Sequence, residues 1–98
     1  MFIKAQLKHL DEIIYIERSV FEQPWSKVHF LKDLKLKVSY NIVYIENSKC
    51  IGYLFGYIIK NEFHLNNIAI DKNYQRKGFA SKIFKFIIDE FKNKKINR

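Results

Sequence analysis

Two β-rich segments joined by a short polar turn constrain the fold of this chain more than any other feature. Residues 38–46 and 50–60 are rich in Ile, Val, Tyr and Phe, the residue types that favour strands. The sequence Asn-Ser-Lys between them is typical of a turn, so the pair predicts a β-hairpin. A third β-rich segment, residues 62–71, follows at once and predicts another strand.

Helical patterns precede the hairpin. Residues 2–6 alternate as a short strand does, and residues 8–20 carry apolar side chains at helical spacing. Pro24 excludes the preceding residue from the helical region and ends this helix. Ser26 is then the expected N-cap of a second helix that runs to about residue 36. Its predicted apolar face consists of Phe30, Leu31 and Leu34.

A third helix is predicted after the last strand, over residues 79–93. The apolar stripe expected on it consists of Ile83, Phe84, Ile87, Ile88 and Phe91. The element order is β-α-α-β-β-β-α, which predicts a mixed α/β (α+β) fold with a mostly antiparallel sheet. With 98 residues, the chain is expected to form one domain, residues 1–98.

Composition restricts the function classes. The chain has no apolar run long enough to span a bilayer and no signal-peptide pattern, so we expect no membrane partner. Cys50 is the only cysteine, which excludes an internal disulfide and fits a reducing, cytoplasmic location. Its place in an apolar strand predicts a packed core thiol rather than a nucleophile.

The formal charge of +8 raises the possibility of a nucleic-acid partner. Lysines are spread along the chain, and only residues 92–98 are locally dense in positive charge. No nucleic-acid recognition motif accompanies the charge. A basic nucleic-acid-binding module is therefore a minor alternative, and an anionic small ligand would gain from the same field.

The connection between the third strand and the last helix carries the chemistry. A strand ends near Asp71, a polar loop follows, and a helix begins at Gly78 or Phe79. The first amides of a helix lack intrahelical partners and favour an anion, and glycine lets the backbone approach it closely. Arg76 and Lys77 add positive charge. The alternative is an ordinary strand-to-helix connection with two solvated cations.

Residues 75–80, Gln-Arg-Lys-Gly-Phe-Ala, resemble the acetyl-CoA signature of the GNAT N-acetyltransferase superfamily, which is Arg or Gln, two residues, Gly, any residue, then Gly or Ala. Residues 16–18 (Ile-Glu-Arg), Phe21 and residues 24–26 (Pro-Trp-Ser) resemble its ribosomal-protein-alanine N-acetyltransferase branch. The resemblance implies the N-terminal part of the GNAT acyl-CoA N-acyltransferase fold. It also implies acetyl-CoA as co-substrate, no metal, and a protein N-terminus, alanine of a small-subunit ribosomal protein, as acceptor.

Carried over to this chain, the resemblance assigns three segments. The backbone of Ile68, Ala69 and Ile70 would pair with the pantetheine arm as a neighbouring strand does. The pyrophosphate would be wrapped by Arg76, Lys77, Gly78, Phe79, Ala80 and Ser81. The acceptor peptide would pass a loop formed by Gln23, Pro24 and Trp25. For Trp25 the alternative is a core anchor between the two helices.

Transfer in this superfamily is direct attack of an amine on the thioester, which needs a base, an oxyanion donor and an acid. The resemblance places the base, a glutamate, and the acid, a tyrosine, beyond Arg98, with the C-terminal strands and helix of the fold. Glu62 and His64 are the alternative candidates within the chain. The strand over residues 62–71 is expected to be a sheet edge that promotes self-association. A non-catalytic CoA-binding remnant is the alternative function.

Overall fold

The computed structural model describes residues 1–94 and contains four strands and three α-helices. Their order along the chain is that predicted from sequence. The elements are β1 (Phe2–Lys4), α1 (Leu10–Val20), α2 (Lys27–Lys35), β2 (Ser39–Glu46), β3 (Lys49–Ile59), β4 (Glu62–Ile70) and α3 (Phe79–Lys94). Short 3-10 turns at Leu7–His9 and Lys72–Tyr74 precede α1 and follow β4. The C-terminal part of the predicted basic segment, residues 95–98, lies outside the described residues.

The strands form one sheet in the order β1-β2-β3-β4, and every pairing is antiparallel. The predicted hairpin is β2–β3, with Asn47 and Ser48 at its turn in the left-handed region (φ 50° and 64°). Within residues 1–94, β4 pairs only with β3, so its other side is an edge. Self-association through that edge stays a prediction.

Helices cover both faces of the sheet. One apolar cluster joins α1 and α2 to one face and includes Ile13, Phe30, Tyr53 and Phe55. The second joins α3 to the opposite face and includes Leu54. Residues 53–55 of β3 alternate between the two clusters because successive side chains of a strand point to opposite faces.

Local signals account for most helix boundaries. The Ser26 hydroxyl oxygen accepts a hydrogen bond from the His29 amide at 3.2 Å, so the predicted N-cap of α2 is present. On α3 the prediction is only partly right. Ile83, Ile87 and Phe91 are buried, but Phe84 is 41% exposed and its assignment to the stripe is wrong. The sheet covers a different face of α3 from the predicted one, because Phe79 and Phe86 pack against the second cluster in addition to the three buried residues.

Candidate functional site

The end of β4 presents free backbone groups along the sheet edge. The Asp71 amide donates to the Ile51 carbonyl of β3 at 2.8 Å. Hydrogen-bonding directions alternate along an antiparallel strand, so Ala69 directs its amide and carbonyl toward β3, opposite Tyr53. Ile68 and Ile70 then direct theirs toward the open edge. Of the three residues assigned to the pantetheine arm, these two can offer main-chain hydrogen bonds to a ligand.

A bulge lies immediately before this segment. Phe55 is opposite Asn67 and Gly56 is opposite Leu65, so Asn66 is the extra residue of β4. A bulge bends its strand and increases the local twist. Here the bulge separates the exposed beginning of β4 from residues 68–70, the segment assigned to the pantetheine arm. It also changes the direction in which the open edge of β4 faces.

The side chain of Gln75 joins the strand to the following turn. Its Nε2 donates to the carbonyl oxygen of Ile70 at 2.9 Å. Hydrogen-bonding directions alternate along β4, and this carbonyl is one of the groups directed toward the open edge. Sequence reasoning included Gln75 in the signature but gave it no separate role; the signal available was its fixed position three residues before Gly78.

Gly78 marks the beginning of α3. The first helical hydrogen bond runs from the Lys82 amide to the Gly78 carbonyl at 3.1 Å, so the amides of Phe79, Ala80 and Ser81 lack an intrahelical acceptor. Gly78 has φ +84°, and a Cβ built there would meet no atom within 4 Å. The glycine therefore supplies a left-handed backbone, and the space beside its Cα is open.

The surroundings of these amides are positive. Arg76 and Lys77 are exposed, and the first turn of α3 contains no acidic residue. The ammonium groups of Lys49 and Lys77 lie 5.9 and 5.7 Å from the ring centroid of Tyr74. Arg76 has φ 62°, a conformation that costs a non-glycine residue about 1–2 kcal/mol. A helix N-terminus with flanking cations can hold a phosphate or pyrophosphate.

The predicted acceptor loop between α1 and α2 lies on the other helical layer. Gln23 and Pro24 are exposed, whereas the Trp25 ring packs against the first apolar cluster. Its centroid is 3.7 Å from that of His29, in a stacked arrangement, and 5.1 Å from that of Phe30. These contacts support the core-anchor interpretation of Trp25, with one part of the ring left at the surface.

Sequence reasoning missed a buried carboxylate beneath this loop. Glu17 is 2% exposed, and the sequence places it within the Ile-Glu-Arg segment, residues 16–18, of the family resemblance without a role of its own. Its Oε2 accepts from the Trp25 amide at 2.9 Å, and its Oε1 accepts from the Asn67 side chain at 2.8 Å and from the Tyr53 hydroxyl. The pKa of Tyr53 is raised well above its ordinary value, mainly by burial and secondly by the hydrogen bond to Glu17.

The alternative catalytic candidates lie at the opposite end of β4. Glu62 and His64 are exposed, with His64 Nε2 4.0 Å from a Glu62 carboxylate oxygen, and the His64 ring stacks on Tyr57 at 4.8 Å. Cys50 is buried as predicted, and burial raises the pKa of its thiol to about 12. In the part of the chain that the structure describes, no group of three His, Cys, Asp or Glu side chains could hold a metal ion.

None of the helices within residues 1–94 is both long and apolar enough to cross a membrane.

The fold itself is that of known N-acetyltransferases. It superposes on the ribosomal-protein-S18-alanine N-acetyltransferase from Escherichia coli with a TM-score of 0.91 at 24% identity, covering 98% of this chain and 61% of that one. It also superposes on the PaiA N-acetyltransferase from Thermoplasma acidophilum, solved in complex with coenzyme A, with a TM-score of 0.84 at 16% identity, covering 98% and 74%.

The Acetyltransferase (GNAT) family matches residues 9–98, and the chain belongs to that family. Among curated relatives, the [ribosomal protein bS18]-alanine N-acetyltransferases of Escherichia coli K12 and Haemophilus ducreyi are 28% identical over 80 residues and 26% identical over 87 residues. The matches cover 82% and 89% of this chain but only 53% and 59% of those relatives. The predicted fold class and family resemblance are confirmed.

Proposed function

We propose that this chain forms the acetyl-CoA-binding part of an N-acetyltransferase that acts on the N-terminal amine of a protein, alanine of a small-subunit ribosomal protein, in the cytoplasm. The observation that supports it most is the hydrogen bond from Gln75 to Ile70. It joins an open strand edge to the Gly78 turn, so one continuous surface offers main-chain pairing groups and then an anion site.

Each part of this surface suits one part of the coenzyme. The outward groups of Ile68 and Ile70 pair with the amides of the pantetheine arm. The amides of residues 79–81, with Arg76 and Lys77, hold the pyrophosphate. Charge-assisted hydrogen bonds of this kind contribute about 1.5–3 kcal/mol each. Membership of the Acetyltransferase (GNAT) family supports coenzyme A as the anionic ligand that fits both parts.

The reaction follows from the acyl donor. The acceptor nitrogen attacks the thioester carbonyl carbon, the C–S bond breaks, the amine loses a proton, and the departing thiolate gains one. An outward amide of segment 68–70 is the group in this chain suited to stabilising the oxyanion. We propose that residues 1–94 bind and orient the donor, because the family resemblance assigns neither the base nor the acid to a residue among them.

Calorimetry with coenzyme A and with pantetheine tests the binding claim. We expect coenzyme A to bind and pantetheine, which lacks the pyrophosphate, to bind much more weakly. Equal affinities would show that the Gly78 turn does not hold the pyrophosphate, and absence of coenzyme A binding by folded protein would refute the proposal.

Release of free thiol from acetyl-CoA tests catalysis, with a peptide beginning Ala-Arg as acceptor. Peptide-dependent release supports the transferase. Coenzyme A binding without any release supports a coenzyme-binding remnant instead. A peptide with an acetylated N-terminus is the matched control, because it lacks only the attacking amine.

A further inference from the structure

We infer that Glu17 is a positioning residue that couples the coenzyme strand to the loop on the acceptor side, an inference that rests on the proposed function. The carboxylate lies between the two segments and bonds to both. Its Oε2 accepts from the Trp25 amide of the loop, and its Oε1 accepts from the Asn67 side chain, directly before segment 68–70.

The third donor strengthens the link to the coenzyme strand. The Tyr53 hydroxyl donates to the same Oε1, and Tyr53 is opposite Ala69 in the register of β3 and β4. Two of the three donors to Glu17 therefore lie directly before or opposite the segment proposed to bind the pantetheine arm. A displacement of that segment is transmitted to the loop through one rigid carboxylate.

Stability alone does not account for this arrangement. A carboxylate removed from water requires full hydrogen bonding, and a well-packed apolar residue at such a position is often as stable or more stable. None of the ion pairs found among residues 1–94 involves Glu17. The carboxylate bonds at the same time to the Trp25 amide of the loop and to the Asn67 side chain of the strand, which are 42 positions apart in sequence. An apolar side chain cannot make these two attachments.

Glu17→Met is a sharp test because methionine nearly preserves the length of the side chain and offers only a weakly accepting sulfur. Glutamine is unsuitable, because its flipped amide can keep the Trp25 bond through the oxygen and donate to the Tyr53 hydroxyl and to a turned Asn67 amide. Methionine loses the bonds at both ends and so separates the loop from the strand.

The chain provides its own reporter, since Trp25 is the only tryptophan. We expect coenzyme A to shift Trp25 emission in the wild type. In Glu17→Met, calorimetry should still show coenzyme A binding while the emission shift is lost. Glu12→Met is the matched control: Glu12 lies on the same helix and also accepts a strand amide, that of Cys50, but contacts neither segment, so the shift should be retained.

Asn67→Ala provides a second variant should Glu17→Met not fold. It breaks the strand end of the link, leaves the backbone of segment 68–70 in place, and should likewise bind coenzyme A without the emission shift. A shift that persists in either variant, or no shift in wild type that binds coenzyme A, overturns the inference and leaves the proposed function intact.

A ligand-free comparison separates the two claims. Asn67→Ala should change Trp25 emission without coenzyme when Glu17 is present, and should have no further effect in a Glu17→Met background. This result supports the coupling even if coenzyme A does not bind, in which case only the proposed function fails. An equal effect of Asn67→Ala in both backgrounds shows that Glu17 does not transmit the change.

Discussion

The carboxylate Oε2 of Glu12 lies 2.8 Å from the backbone nitrogen of Cys50 and accepts its hydrogen bond, attaching α1 to the beginning of β3. Cys50 itself is 1% exposed. Helix α1 is thus fixed to the sheet at this point as well as through Glu17, and the next prediction concerns this attachment.

Glu12→Ala should destabilise the fold by about 1–3 kcal/mol, because it leaves the Cys50 amide without its acceptor in a buried position. Urea unfolding measures this free energy. Asp11→Ala is the control, since Asp11 is an exposed residue of the same turn and should lose only a helix-dipole interaction of about 0.3–1 kcal/mol. Equal losses for the two variants would contradict a specific role of the Glu12–Cys50 bond.

Stability should fall in alkali. Burial raises the pKa of the Cys50 thiol from its ordinary value of 9.0 to about 12, so the unfolded chain loses this proton first as the pH rises. The associated stability is fully present below about pH 9 and is lost as the pH approaches 12, with a slope of up to about 1.4 kcal/mol per pH unit. Urea unfolding across this range, compared between wild type and Cys50→Ala, measures the slope. A slope unchanged by the substitution would exclude Cys50 as a cause.

Two glycines should respond differently to alanine. A Cβ at Gly56 would lie 2.5 Å from the His64 carbonyl oxygen and from the Phe63 ring, so Gly56→Ala should cost about 1–3 kcal/mol through overpacking. A Cβ at Gly78 would meet no atom within 4 Å, so Gly78→Ala should lower the folding stability by about 1–2 kcal/mol through its positive φ alone.

The effects of the same two substitutions on coenzyme A binding should differ in the opposite sense. Gly78→Ala adds a methyl group to the turn proposed to approach the pyrophosphate closely and should weaken binding, whereas Gly56→Ala, when folded, should bind normally. Thermal unfolding with and without coenzyme A measures both effects. Coenzyme binding that is unaffected by Gly78→Ala would contradict the proposed pyrophosphate site.

Arg76→Asn should separate stability from binding. Asparagine tolerates the left-handed conformation better than arginine, so folding stability should be unchanged or slightly higher. Loss of a charge-assisted hydrogen bond of about 1.5–3 kcal/mol should weaken coenzyme A binding about tenfold to a hundredfold. Calorimetry measures the affinity.

Lys60→Asn is the matched control for that substitution. Lys60 is also a cation in the left-handed region, with φ 52°, but it lies in the turn between β3 and β4. It should leave coenzyme A affinity unchanged. Equal weakening by both substitutions would indicate general electrostatic attraction by a basic chain rather than a site at Arg76.

The sequence by itself determined the features that depend on neighbours along the chain. Element order, the β2–β3 hairpin, the Ser26 N-cap and the beginning of α3 after Gly78 all follow from local periodicity, turn residues and caps. The family resemblance rests on the same kind of signal, because residues 75–80 form one contiguous turn. Such features are readable since the residues that cause them are adjacent.

Only the tertiary structure decided which groups meet across the fold. Glu17 lies on the helical stripe of α1, but its partners Tyr53 and Asn67 are 36 and 50 positions away. Which backbone groups of β4 face the open edge likewise depended on the β3–β4 register and on the bulge at Asn66. Periodicity assigns a residue to a face; what covers that face, and how a buried polar group is satisfied there, depends on packing between elements distant in sequence.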